Sequence, residues 1–107
     1  MSVSIDDFNK MDLKVGKVLK AEKILNLTKL LKLDVDIGSR SIQVLAGGAE
    51  FYQPEHFVGR KVIVLTNIMP RIVAGVESAG MLLAADYNGK PFWLTVEEDV
   101  PSGTKVR

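Results

Sequence analysis

The sequence predicts an all-β domain: a five-stranded Greek-key barrel of the OB type, with a short helix between strands 3 and 4 and a C-terminal strand extension. Three observations carry this expectation. Apolar residues recur mostly with period two, as strands with one buried face require. Turn residues interrupt the chain at short intervals, and one stretch alone carries helix start and stop signals. The element order, three strands, a short helix and then further strands, is that of a small Greek-key barrel. An SH3-like barrel is the alternative, although it usually lacks a helix at that place.

Each element has its own local reason. The first strand spans residues 13–24, with Gly16 as a bulge or a close-packing point. Strict alternation through Lys32, Leu33, Asp34, Val35, Asp36 and Ile37 marks the second. Gly38-Ser39-Arg40-Ser41 turns the chain into a third at 42–46. Residues 52–57 form the helix, with Pro54 near its start and Gly59 just past its end. Val62-Ile63-Val64-Leu65 is a continuous apolar run, fitting a strand buried on both faces. Residues 81–85 are another such run, and 91–96, with Phe92 and Trp93, close the set. Between them Asn88-Gly89 takes the positive φ angles of a hairpin turn. Without repeat or linker, residues 1–107 read as one domain.

Composition narrows the function. The chain has 107 residues, 47% hydrophobic and 25% charged, which fits a globular domain and not a disordered one. It has no cysteine and a single histidine, His56, which excludes disulfide scaffolds, thiolate chemistry and a histidine-rich zinc site. No apolar run suits a signal peptide or membrane span, so the cytoplasm is the expected location and no membrane partner is expected. The net charge of +1 leaves any nucleic-acid affinity to a local patch. Such a patch is offered by Lys14, Lys17, Lys20, Lys23, Lys29 and Lys32, set against Glu22 alone, while acids gather at Glu97, Glu98 and Asp99. Those lysines are either a solvated face or a track for phosphates.

Catalytic constellations are sparse. His56 stands beside Glu55 in the expected helix and reads as a surface or cap residue. Asp34 and Asp36 share a strand face and could hold a divalent cation, although a solvated or lysine-paired face is the plainer reading. Ala46-Gly47-Gly48-Ala49 has the glycines of a phosphate cradle but no Lys-Ser/Thr pair after them. No enzyme, no cofactor and no metal are therefore expected. The unusual segment is 66–80, too long for a hairpin loop, where Asn67, Arg71 and Ser78 offer bonds to bases and phosphates, with Met81 as a soft apolar surface. The alternative is a covering loop in which Ile72, Val73 and Val76 plug the barrel end, Asn67 caps a turn and Met81 is core.

Several blocks resemble a known family. They are Asp12-Leu13-Lys14-Val15-Gly16-Lys17-Val18, then Lys29-Leu30-Leu31-Lys32-Leu33-x-Val35-Asp36-x-Gly38, Ala46-Gly47 and Tyr52-x-Pro54-Glu55. The most specific is Asn67-x-x-Pro70-Arg71 continuing to Gly75-Val76-Glu77-Ser78-x-Gly80-Met81-Leu82-Leu83-Ala84-Ala85. From residue 8 to 107 the chain is similar to the tRNA-binding domain family, above all its methionyl-tRNA synthetase-associated members (beta subunit or C-terminal domain) and free-standing homologues. The resemblance implies an OB-fold that binds tRNA mainly by shape, with Asn67, Arg71, Ser78 and Met81 at the site and Lys29 and Lys32 in support. It also implies a synthetase catalytic chain as a possible partner. A homodimer is implied too, meeting through the first strand and the C-terminal extension, with Phe8, Phe92, Trp93 and residues 100–106 as material; Phe92 and Trp93 equally suit the protomer's own core. Ile72 and Ile42 stand where the family usually or often carries a basic residue, and Leu27-Thr28 where it commonly has Ala-Asp. The rival reading in the same fold is a secretion-chaperone-like peptide binder; a structural subunit without tRNA affinity is the other.

Overall fold

The structure, a computed structural model, describes residues Met1–Arg107. A helix that the sequence reading did not anticipate opens the chain. In α1 (Ile5–Asn9) the Ser4 hydroxyl accepts a hydrogen bond from the Asp7 amide at 3.0 Å, and Asp6 and Asp7 sit at the positive end of the helix dipole. Five residues are too few for a helical period to register. Ten strands follow: β1 (Leu13–Ile24), β2 (Leu27–Asp36), β3 (Ser41–Gly47), β4 (Lys61–Leu65), β5 (Arg71–Val73), β6 (Val76–Ser78), β7 (Met81–Leu82), β8 (Ala84–Tyr87), β9 (Lys90–Trp93) and β10 (Lys105–Val106). No helix is long and apolar enough to cross a membrane.

Antiparallel ladders join the strands in the order β3-β2-β1-β4-β7, with β10 pairing the start of β1. The β5–β6 and β8–β9 pairs are separate hairpins. The all-β class holds, but the main sheet does not close into a five-stranded barrel, because no backbone ladder links β3 to β7. Across that seam Ala79 N donates to Gln43 O at 2.8 Å, Gln43 Nε2 to Glu77 O at 2.8 Å, and Leu45 N to Ser78 Oγ at 3.0 Å. The physical reason is length. β7 has only two residues, and the chain ahead of it folds into the β5–β6 hairpin instead of extending the sheet.

The core follows from alternation. Leu31, Leu33, Val35 and Ile37 are buried while Lys32, Asp34 and Asp36 stay half-buried. The inward set meets Val18, Val44, Val62, Val64 and Phe57 in the main cluster. A second cluster, Leu13, Val15 and Ile63, lies under Phe8 of α1 and under Val96, Val100 and Val106. Successive residues of β4 therefore serve two apolar clusters, which is why that strand reads as one apolar run. Gly16 proves to be the close-packing point. The β1–β4 register runs unbroken past it, and a Cβ there would lie 2.6 Å from Val35 Cγ1. The register shifts of β1 fall further on, between Val18 and Lys20 and between Lys23 and Ile24.

The helix expected at 52–57 is a single 3-10 turn, Pro54–His56. Phe57 leaves it to enter the core, and Gly59, at φ 85°, redirects the chain toward β4. Asn88 (φ 52°) and Gly89 (φ 80°) form the expected hairpin turn. Ala74 (φ 50°) and Gly75 (φ 80°) form a second one inside the segment that reads as a long loop. Ile72 is 69% exposed and plugs nothing.

Asp12 is the junction between α1, β4 and β10. Its Oδ2 accepts from Thr66 Oγ1 at 2.6 Å, its backbone O from Thr66 N at 2.9 Å, and Lys105 Nζ lies 3.3 Å from Oδ1. The Thr66 hydroxyl bond, helped by Lys105 and Lys14 and opposed by partial burial, holds this carboxyl below the usual carboxylate range. A lowered native pKa adds stability that is full above the unfolded value, roughly 3.9, and is lost as pH falls through the native one. Asp12→Asn should therefore flatten the acid side of a Tm-against-pH curve below about pH 4–5. An unchanged acid slope would remove Asp12 from the account.

Candidate functional site

Three of the residues singled out in the sequence converge. The β5–β6 hairpin sets Arg71 directly opposite Ser78, and Met81 begins β7. With Leu45, Ile68, Met69 and Gly80 they line a cleft of about 160 Å³. Ser78 is 2% exposed; its hydroxyl accepts from the Leu45 amide and donates to Gly80 O, both at 3.0 Å. Those bonds hold β6 against β3, so that Arg71, one rung across, stands at the surface. Gly80 has no room for a side chain: a Cβ would lie 2.9 Å from Ile42 Cδ1 and 3.1 Å from Leu65 O. The rim is apolar, with Met69 at 86% and Met81 at 43% exposure. Leu45, Ile68 and Met69 were not singled out from the sequence. Their signal was weak: Ile68-Met69 is an apolar pair between Asn67 and Pro70 with no strand to belong to.

Lys32 shares a sheet face with the cleft residue Leu45, which it opposes across the β2–β3 ladder, but it is outside the cleft lining and its ammonium turns to Glu22 on β1. Lys29 has the opposite parity, that of Leu31 and Leu33, and lies exposed toward the β1–β2 turn, away from the cleft lining. Asn67 is engaged elsewhere. Its Oδ1 accepts from Asp12 N at 2.9 Å and its Nδ2 donates to Lys10 O at 2.7 Å, tying the exit of α1 to the end of β4.

Three lysines of the lysine-rich stretch face carboxylates across the β1–β2 ladder, whereas Lys23 faces Leu31. Lys17 faces Asp36, Lys20 faces Asp34, and Lys32 faces Glu22 with an N–O distance of 3.1 Å. The Lys32 hydrogen bond and charge, with Lys20 behind them, hold the Glu22 carboxyl below its usual range. Only the Lys32–Glu22 rung closes to an ion pair, so cross-strand pairing offsets part of the field that a count of lysines implies. Asp34 and Asp36 face Lys20 and Lys17 across the ladder without forming ion pairs, and Asp36 Oδ1 accepts from Gly38 N at 2.8 Å. Ile42 is 8% exposed and belongs to the main core, so in this chain that position offers no surface for a cation. Arg71, exposed and outside every ion pair, is the cation that the cleft itself presents.

Over residues 13–105 the chain matches the family described as a putative tRNA binding domain. The methionine–tRNA ligase of Archaeoglobus fulgidus is 49% identical over 104 residues, which are 97% of this chain and 16% of the ligase. That of Methanocella arvoryzae is 52% identical over 106 residues, 98% of this chain and 15% of the ligase. The chain thus spans about a sixth of the length of these relatives. Among solved structures, a MetRS-related protein from Pyrococcus horikoshii aligns with a TM-score of 0.94 at 41% identity, covering 100% of this chain and 99% of that one. Chaperone CsaA of Bacillus anthracis aligns with a TM-score of 0.90 at 28% identity over 100% of both chains.

Proposed function

The chain belongs to the tRNA-binding domain family, and we propose that it is a non-catalytic protein that binds tRNA largely by shape and holds it for a methionyl-tRNA synthetase catalytic chain. The observation that carries this reading is the cleft lined by an unpaired, exposed Arg71 together with Met69 and Met81. A guanidinium positions a phosphate, and a polarizable apolar wall receives an unstacked base. Lys32 supports the cleft from the neighbouring sheet face, Ser78 positions Arg71, Asn67 braces the segment that leads into the rim, and Lys29 offers a further phosphate contact along β2. Contacts of this kind contribute roughly 1–3 kcal/mol per base, so a handful gives micromolar affinity. Attachment to a synthetase then raises the local tRNA concentration. We read the scaffold as OB-type, and the protein as a homodimer joined through the first strand and the C-terminal segment.

The test is a titration with unfractionated tRNA between about 50 and 300 mM salt, where log affinity should fall with log salt at a slope of about −2 to −4 for three to five phosphate contacts. Arg71→Ala should weaken binding severalfold and make the slope shallower by roughly one. Sedimentation of the free protein should give twice its 11.7 kDa mass. Binding indifferent to salt, or a slope untouched by Arg71→Ala, would sink the tRNA reading at this cleft. The exposed apolar rim of Met69 and Met81 favours a second reading, capture of apolar peptide segments. Salt-tolerant binding of such peptides, abolished by Met69→Ser, would support it.

A further inference from the structure

A second cleft lies apart from the Arg71 site, where the β8–β9 hairpin folds over the 3-10 turn. It measures about 210 Å³ and is walled by Tyr52, His56, Phe92 and Trp93, with Arg60 at its edge. The hairpin is docked by Tyr52, whose hydroxyl donates to Pro91 O at 2.6 Å, and by Gly48, where a Cβ would come within 2.9 Å of Pro91 Cγ. The aromatic walls are partly open to solvent: Phe92 is 45% exposed, and the neighbouring Phe51 is 48% exposed. Lys90 Nζ stands over three rings at once, 5.3 Å from the centroids of Tyr52 and Phe92 and 5.9 Å from that of Phe51.

Two cations here are unpaired, as are Lys17, Lys20, Lys23 and Lys29 of β1 and β2, but these two stand against an aromatic wall. Neither Lys90, beside the cleft, nor Arg60, in its lining, makes an ion pair, whereas Lys61, also in the lining, is held by Asp99 at 2.7 Å. Arg60 Nε donates to His56 O, which fixes the guanidinium beside the aromatic wall. Burial first, and then the charges of Arg60 and Lys90, lower the His56 pKa, so both cations are felt at its ring, which stacks on Tyr52 at 4.5 Å. The indole N–H of Trp93 is buried without a protein acceptor. Solvent-accessible rings held under a displaceable ammonium, beside a second unpaired cation, suit one chemistry above others: a planar π-system carrying an anion. A cavity of about 150 Å³ already admits a benzene ring, so the volume suits a base and not merely an ion.

We propose that this cleft binds a nucleotide unit, its base against Phe92 and Tyr52, which line it, and its phosphate between Arg60 in the lining and Lys90 beside it. In the free protein the Lys90 ammonium covers the ring faces. An arriving nucleotide offers the rings a base and the ammonium a phosphate, so both partners that Lys90 separates are satisfied by one ligand. The source is either a free mononucleotide or an unpaired stretch of RNA, and the same chemistry recognises both.

Trp93 is the chain's only tryptophan and lines the cleft, so its emission reports occupancy. Titration of the whole protein with single-stranded hexa-adenylate should quench that emission saturably. Lys90→Glu and Phe92→Ala should each weaken the response at least tenfold, Lys90→Arg should preserve it, and Arg71→Ala should leave it unchanged. Quenching by adenosine monophosphate as well assigns the site to free nucleotides; quenching by the oligomer alone assigns it to unpaired RNA. No change with either probe, or a quench that survives both Lys90→Glu and Phe92→Ala, overturns the proposal.

Discussion

Phe57→Ala should cost about 3–5 kcal/mol. The ring is fully buried and is the largest side chain so enclosed. It meets Trp93 at 5.4 Å between centroids, His56 at 5.6 Å and Tyr52 at 6.1 Å, all tilted or edge-on. Truncation removes the apolar area and leaves a cavity that the surrounding strands fill only in part, since β1, β2 and β4 are locked in register. Against a total stability of about 5–15 kcal/mol, such a loss brings a domain of this size close to unfolding. Urea titration followed by Trp93 emission should show a lower midpoint with an unchanged slope. Phe57→Leu, which keeps most of the volume, should lose markedly less. A loss below about 1 kcal/mol for the alanine variant would mean that the 3-10 turn collapses into the vacated space.

What the sequence disclosed depended on whether a signal is local. Alternation located β2 and β3 because one face of each is buried over several successive rungs, and Asn88-Gly89 announced its hairpin because the turn geometry demands those residues. The β5–β6 hairpin escaped notice for the complementary reasons. Each of its strands has three residues, too few to show a period, and its turn places Ala74 rather than asparagine at a positive φ. The charge of residues 14–32 looked larger in the sequence than it is in space, since Asp34, Asp36 and Glu22 lie across the ladder from their lysines. Ile42 looked like a missing cation because comparison by position does not record which way a strand residue faces. At the cleft, Arg71 and Met81 were legible as exposed groups. Ser78 and Asn67 were legible only as polar groups: a hydroxyl that bonds the backbone and one that awaits a ligand leave the same trace in a sequence.

Ser78→Ala separates those two roles. Removing the hydroxyl leaves the Leu45 amide, now inside the seam between β3 and β6, without its acceptor, and frees Gly80 O. An orphaned buried donor costs about 1–3 kcal/mol, and each kcal/mol is worth about 4–8 °C of Tm in a domain of about this size. The seam has no ladder to share the strain, so the loss should be felt by the whole β5–β6 hairpin. Well below the melting temperature, tRNA affinity should fall modestly, because Arg71 is held less firmly, while the salt slope stays as in the intact protein. Arg71→Ala should do the reverse, leaving Tm nearly unchanged and the slope shallower. If Ser78→Ala instead abolishes binding at an unaltered Tm, the hydroxyl itself touches RNA, and the hairpin must open to expose it.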